Sequence, residues 1–114
     1  MKIKKIPPLH PGEVLYDDFL QPLKISQNQI ARDLGVSPRR INEIIHGKRS
    51  VTADTALRFS LYFGNSAQFW MGLQMDYDLD KAEDCSLEKL KGEVSRLLFD
   101  SGSMLAEEGK TAIA

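Results

Sequence analysis

Cysteine is almost absent from this chain of 114 residues: Cys85 stands alone. A single thiol rules out an internal disulfide and a cysteine-based zinc cluster. Histidine is nearly as scarce, with His10 and His46 far apart in sequence. Neither a metal-ligand cluster nor a glycine-rich phosphate loop accompanies them. An active site needs convergent titratable groups in a pocket, so the composition argues against an enzyme, and no cofactor or metal is expected. Apolar runs are short, and none reaches the length that crosses a bilayer. The opening MKIKKIPPLHP has lysines but no apolar segment behind them, unlike a signal peptide, which makes a cytoplasmic location the expectation. No strand pattern competes with helical periodicity, and no internal repeat is visible.

What is present is helix-forming sequence, enough for one domain with a modest core. The net charge is −1, but it is unevenly distributed. Residues 1–75 hold ten Lys/Arg and six Asp/Glu, hence +4; residues 76–114 hold five and ten, hence −5; the two sum to −1. A basic first part and an acidic second part predict two different partner surfaces.

The stretch SQNQIARDLGVSPRRINEIIHGKRS, residues 26–50, organises the rest. Ser26 is placed to cap a helix, with Gln29 completing a capping box and Ile25 and Ile30 forming a staple. Gly35 stops that helix. Ser37 caps the next, with Pro38 at its first position and Val36 stapled to Ile41; Gly47 ends it. At about 100° per residue, Ile41, Ile44 and Ile45 share one face. Arg39, Asn42, Glu43 and His46 share the other, with Arg40 on the flank. Such an outer face is often merely solvated. Here it follows a capped helix and a glycine turn, the geometry that lays a recognition helix in the major groove. Arg suits guanine, Asn suits adenine, and Glu accepts from cytosine. The predicted base contacts are therefore Ser37, Arg39, Arg40, Asn42 and Glu43; Gln27, Lys48 and Arg49 are predicted to hold phosphates.

On either side, Pro11, Glu13 and a Leu9–Val14 staple predict a helix that ends before Pro22. Its His10 reads as structural, and the preceding Lys2, Lys4 and Lys5 as an extended arm. Thr52 caps a helix packing through Ala56, Leu57, Phe59, Ser60 and Phe63. Ser66 caps a fifth helix to about Leu79, with Phe69, Trp70, Leu73 and Tyr77 on one side and Met71, Met75 and Leu79 on the other. One stripe serves the core; the second, the expected dimer interface, needs another cover, from the chain's own C-terminal helix or a second subunit. Lys81–Asp84 reads as a linker. Ser86 then caps a sixth helix carrying Leu87, Leu90, Val94, Leu97 and Leu98, broken near Ser101–Ser103. The expected architecture is all-α: a five-helix helix-turn-helix domain over residues 1–80, motif 26–47, and an additional C-terminal helical extension over 81–114.

The segments HPGEVLYDDFLQPL, RINEIIHGKR and VTADTA, the FW pair at 69–70 and the following MGLQMDYDL make residues 10–79 resemble the HigA/VapI family of antitoxins. This is a branch of the phage-repressor-like helix-turn-helix proteins. The resemblance implies a five-helix DNA-binding core, homodimerisation, and repression of the protein's own operon by binding double-stranded operator DNA. It also implies neutralisation of a HigB-like toxin that cleaves mRNA on the ribosome. The residues after about 82 match the family poorly. A stand-alone repressor without a toxin would have the same first eighty residues, so that alternative stays open.

Overall fold

Every helix of the fold starts at a residue whose side chain accepts a backbone N–H. The computed structural model describes residues 8–98. Helix α1 is a continuous run in three pieces, Pro11–Val14, a π-helical Leu15–Leu20, and Gln21–Leu23. It is followed by α2 (Gln27–Leu34), α3 (Pro38–Ile45), α4 (Ala53–Phe63) and α5 (Ala67–Glu93). There is no strand among the described residues, and no helix among them is long and apolar enough to cross a membrane. The caps are His10, Ser26, Ser37, Thr52 and Ser66. They satisfy donors that the first turn leaves without intrahelical partners. His10 forms a full capping box with Glu13, whereas Ser26 takes the Gln29 N–H at 3.0 Å without the reciprocal bond.

Helix ends are equally local. Gly35, at φ 75°, closes α2 with its own N–H on Arg32 O and the Val36 N–H on Ala31 O, the paired bonds of a Schellman ending. α1 ends the same way at Lys24, a non-glycine residue at φ 57°, with Lys24 N–H on Gln21 O and Ile25 N–H on Leu20 O.

The apolar stripes meet in one core. Ile30, Ala31 and Leu34 of α2, Ile41 and Ile44 of α3, Ala56 and Phe59 of α4, and Val14, Leu15 and Leu20 of α1 are all buried. Trp70 of α5 is fully buried at the centre, with Phe59 at 4.7 Å and Phe19 at 5.2 Å between ring centroids. Large aromatic rings in such tilted contacts dominate core energetics. The indole N–H is not orphaned, since it donates to Asn65 Oδ1 at 3.0 Å. The start of α1 lies hard against the end of α3. A Cβ on Gly12 would sit 1.8 Å from the Ile44 carbonyl oxygen, so only glycine permits this approach.

Several expectations need correction. α1 does not stop before Pro22. The π-helical stretch has the Gln21 N–H reaching back to Tyr16 O, a wider turn into which a residue without an N–H can be fitted, and the helix continues to Leu23. Leu57 does not pack in the core and is exposed. It lies about 100° round from Ala56, while Thr55, Ala56 and Phe59 face inward. Residues 81–84 are not a linker and Ser86 caps nothing. α5 runs unbroken to Glu93, because charged Lys, Glu and Asp with Ala are no barrier to a helix already started. The additional C-terminal helix is thus the distal part of α5, and Val94, Leu97 and Leu98 follow its end. The Lys2/Lys4/Lys5 arm and the break at 101–103 lie outside the described residues.

Candidate nucleic-acid interface

α3 is fixed to the core by one face and presents the other. Ile41 and Ile44 are fully buried and Ile45 is half-buried, while Arg39, Asn42 and His46 are exposed. Ser37 Oγ accepts the Arg40 N–H at 3.1 Å, which leaves its hydroxyl hydrogen available to another group.

Side chains tie α3 to α2 at the exposed surface. Asn42 Nδ2 donates to Gln27 Oε1 at 3.1 Å, linking the first residue of α2 to the middle of α3. An Asn amide has two N–H donors and one carbonyl acceptor. With one N–H on Gln27, the second N–H and Oδ1 remain, which is the fork that pairs with adenine N7 and N6. Gln27, expected as a phosphate contact, thus also orients Asn42.

Arg39, Glu43 and Arg49 form a second cluster. Arg39 Nε donates to Glu43 Oε2 at 2.9 Å. Arg49 Nε and Nη2 each lie 2.8 Å from Oε1 of the same carboxylate. These guanidinium hydrogen bonds, Arg39's first, hold the Glu43 carboxyl below the usual carboxylate range. Lys48 sits beside them, exposed; its backbone N–H donates to Glu43 O at 2.8 Å, and its ammonium has no hydrogen bond or ion pair among the described residues.

Arg40 is placed differently from the other predicted base contacts. Its guanidinium donates to Asp54 Oδ2 at 2.8 Å and to Thr55 Oγ1 at the start of α4. Arg58 meets the same Asp54 oxygen at 2.8 Å and sends Nη1 to the Leu34 carbonyl at 2.7 Å. Asp54 therefore stays ionised below the usual carboxylate range, held by Arg58 and then by Arg40. Through these bonds Arg40 braces α3 against α4. Sequence spacing could not separate these roles, because Arg39 and Arg40 are neighbours and only the tertiary position of Asp54 distinguishes them.

Sequence reasoning also missed Gln74. It is buried on α5, and its Oε1 accepts the Val51 N–H at 2.7 Å while Nε2 donates to Asp78 at 2.9 Å. This bond anchors the segment that follows α3. The available signal was a glutamine four residues after Trp70, on the core side of the helix.

The predicted dimer residues Met71, Met75 and Leu79 are 37, 56 and 55% exposed. No helix of the described chain folds back over them, since α5 continues outward.

A helix-turn-helix family model matches residues 18–70. The chain is 49% identical over 79 residues to virulence-associated protein I of Dichelobacter nodosus, covering 69% of this chain and 73% of that one. It is 32% identical over 79 residues to antitoxin HigA-1 of Vibrio cholerae, covering 69% and 74%. Among solved structures, Pseudomonas aeruginosa antitoxin HigA with higBA promoter superposes with a TM-score of 0.77 at 43% identity, covering 80% of this chain and 99% of that one.

Proposed function

The chain belongs to the HigA/VapI family of helix-turn-helix antitoxins, and on that premise we propose that it represses its own operon and neutralises a ribosome-dependent, mRNA-cleaving toxin. The observation that carries the DNA half of this reading is the exposed face of α3. It is rigidly mounted by Ile41 and Ile44 and carries an amide fork at Asn42 and a guanidinium at Arg39. A homodimer presents two such faces to half-sites about 34 Å apart, one recognition helix per major groove. Arg39, Asn42 and the free hydroxyl hydrogen of Ser37 read base edges. Gln27, Lys48 and Arg49 hold phosphates, helped by the N-terminus of α2.

Dimerisation follows from the second stripe of α5. Met71, Met75 and Leu79 line up at four-residue spacing and are exposed, with no cover among the described residues. A contiguous exposed apolar patch of this kind is an association site. Met71→Glu with Met75→Glu gives a folded monomer with poor operator affinity, because each half-site is then bound independently; light scattering reads the result.

The DNA assignment is tested by measuring binding to the operator and to random DNA. Asn42→Ala costs on the order of 1–3 kcal/mol on the operator and much less on random DNA. Lys48→Ala weakens both alike and flattens the salt dependence by about one unit of slope. Equal losses on both DNAs for Asn42→Ala remove it from the base-reading set.

For the toxin, the acidic distal part of the chain is the proposed surface. Asp76, Glu83, Glu88 and Glu93 are exposed along α5. A protein that approaches ribosome-bound mRNA needs a basic face, which an acidic helix complements. Affinity capture from the host, followed by mass spectrometry, is expected to bring down a basic ribonuclease. A chain ended after residue 79 is expected to keep operator binding in part and to lose growth rescue. Operator binding without any captured toxin would make the protein a stand-alone repressor.

A further inference from the structure

We infer that Glu43 reads no base itself and is a positioning residue: it divides two arginines between different tasks, and so sets discrimination between DNA sequences more than affinity for DNA. The inference rests on the DNA-binding reading above.

The geometry of the carboxylate carries it. Both Glu43 oxygens are occupied, Oε2 by Arg39 and Oε1 by Arg49. The Glu43 side chain is only 24% exposed, against 84% for Arg39. Three of the carboxylate's roughly four acceptor sites are thus taken by guanidinium N–H groups. Both guanidiniums meet the carboxylate through Nε, and Arg49 adds Nη2. Arg39 is held through Nε, which leaves Nη1 and Nη2 as an outward pair of donors, the fork that meets guanine O6 and N7. Arg49 uses Nε and Nη2 together on Oε1. That leaves three N–H donors, two on Nη1 and one on Nη2, and the position of Arg49 in the exit loop, not its donor count, suits it to the phosphate backbone. Arg39 comes from the first turn of α3 and Arg49 from the loop beyond Gly47, so one carboxylate fixes the helix and its exit loop in a common frame. Both arginines arrive with much of their rotamer freedom already lost.

Charge gives the inference its sign. The cluster holds two cations and one anion, net +1. Random DNA responds to net positive charge, whereas an operator also responds to where the guanidinium points. Removing the Glu43 charge therefore strengthens the first response and weakens the second. A residue that merely stabilised the fold would weaken both.

The test uses the full chain and an operator duplex selected by that chain from a random pool, compared with a scrambled duplex of the same length and composition. Glu43→Gln is expected to bind the scrambled duplex several-fold more tightly, with a salt slope steeper by about one. The ratio of operator to scrambled affinity should fall about tenfold. Arg39→Ala should lower the ratio similarly. The double variant should be no worse than Arg39→Ala alone, because Glu43 acts through Arg39. Circular dichroism checks that each variant is folded. An unchanged ratio for Glu43→Gln overturns the inference. So does a double variant whose losses multiply, since Glu43 would then contact the operator on its own. A wild-type chain that enriches no operator overturns the DNA reading and this inference together, while an enriched operator with an unchanged Glu43→Gln ratio overturns this inference alone.

Discussion

α5 is one helix built in two ways. In its first part Trp70 and Gln74 are buried, Leu73 is packed against the core, and Tyr77 meets the His10 ring edge-on at 4.7 Å. From Leu87 to its end every residue is exposed, leucines included. The first part is helical because tertiary packing holds it. The second is helical because extending a started helix adds one hydrogen bond per residue fixed, whereas starting one is costly. The domain therefore supplies the nucleus, and the distal turns present charge and leucine side chains to whatever lies outside the chain.

The sharpest way to break that comparison is to place the same added methyl in each region. Gly12→Ala puts a Cβ against the Ile44 carbonyl, a backbone atom that cannot step aside without moving α3 from α1. Overpacking of this severity is expected to cost about 3 kcal/mol or more, read as a drop in the urea midpoint and a loss of operator binding. Gly92→Ala meets nothing within 4 Å. In the distal helix it is expected to help, by at most about 1 kcal/mol of local helix stability, visible as increased helical circular dichroism.

A smaller effect on the proximal side comes from Gln74→Leu. The size is kept, but the buried Val51 N–H loses its acceptor. An unsatisfied buried donor costs about 1–3 kcal/mol, and the loss should appear in chemical denaturation. The matched change at Gln68, exposed on the same helix, is expected to stay within about 0.5 kcal/mol.

Gln74 also marks the limit of what the sequence makes legible. Caps, helix ends and the two-faced character of α3 are encoded within four or five residues. Ser26, Ser37, Thr52 and Ser66 cap the helices that their spacing predicts, though Gln29 does not complete a box with Ser26; His10, read only as structural, is the cap of α1. The roles that escaped depend on residues distant in sequence. Arg40 was separable from Arg39 only through Asp54, fourteen positions on. Gln74 was separable from a surface glutamine only through Val51. The linker expected at 81–84 failed for a different reason, since a run of charge signals solvent exposure and says nothing against helix. Tyr77 was read as part of the core stripe, whereas its partner is the capping histidine.

That histidine gives a pH-dependent way to sharpen the contrast, smaller than the two core changes. His10 Nδ1 accepts the Gly12 N–H at 2.9 Å, which only the neutral ring can do. Burial pushes its pKa below the ordinary 6.5, against the opposing pull of Glu13 and Asp78, with Lys81 adding to the depression. The folded state thus prefers neutral His10 more than the unfolded chain does. Its contribution is present above about pH 6.5 and is lost as the pH falls through the lowered folded value. His10→Asn keeps a capping acceptor but does not titrate there. The difference in unfolding free energy between wild type and His10→Asn should therefore be constant above pH 7 and shift against wild type on acidification. A difference that does not change with pH would remove His10 from the account of acid sensitivity.

The smallest expected effect belongs to the distal helix. Lys89 lies 3.7 Å from Glu93, and Lys91 lies 3.5 Å from Glu88, all of them well exposed. Such one-turn pairs contribute about 0.2–0.5 kcal/mol each, and less in salt. Lys89→Ala replaces one partner with the strongest helix former, so loss of the pair and gain in propensity nearly cancel. Denaturation of the domain should not register the change. The measurement that bears on the comparison is amide exchange in residues 87–93 as protein concentration is raised. If a second subunit covers the leucines of this segment, protection there should grow with concentration in wild type and in Lys89→Ala alike, because buried apolar area and not the ion pair carries it. Protection that is independent of concentration, yet lost in Lys89→Ala, would mean that the distal turns are held by their own surface charges, and the distinction between a packed half and a presented half would no longer stand.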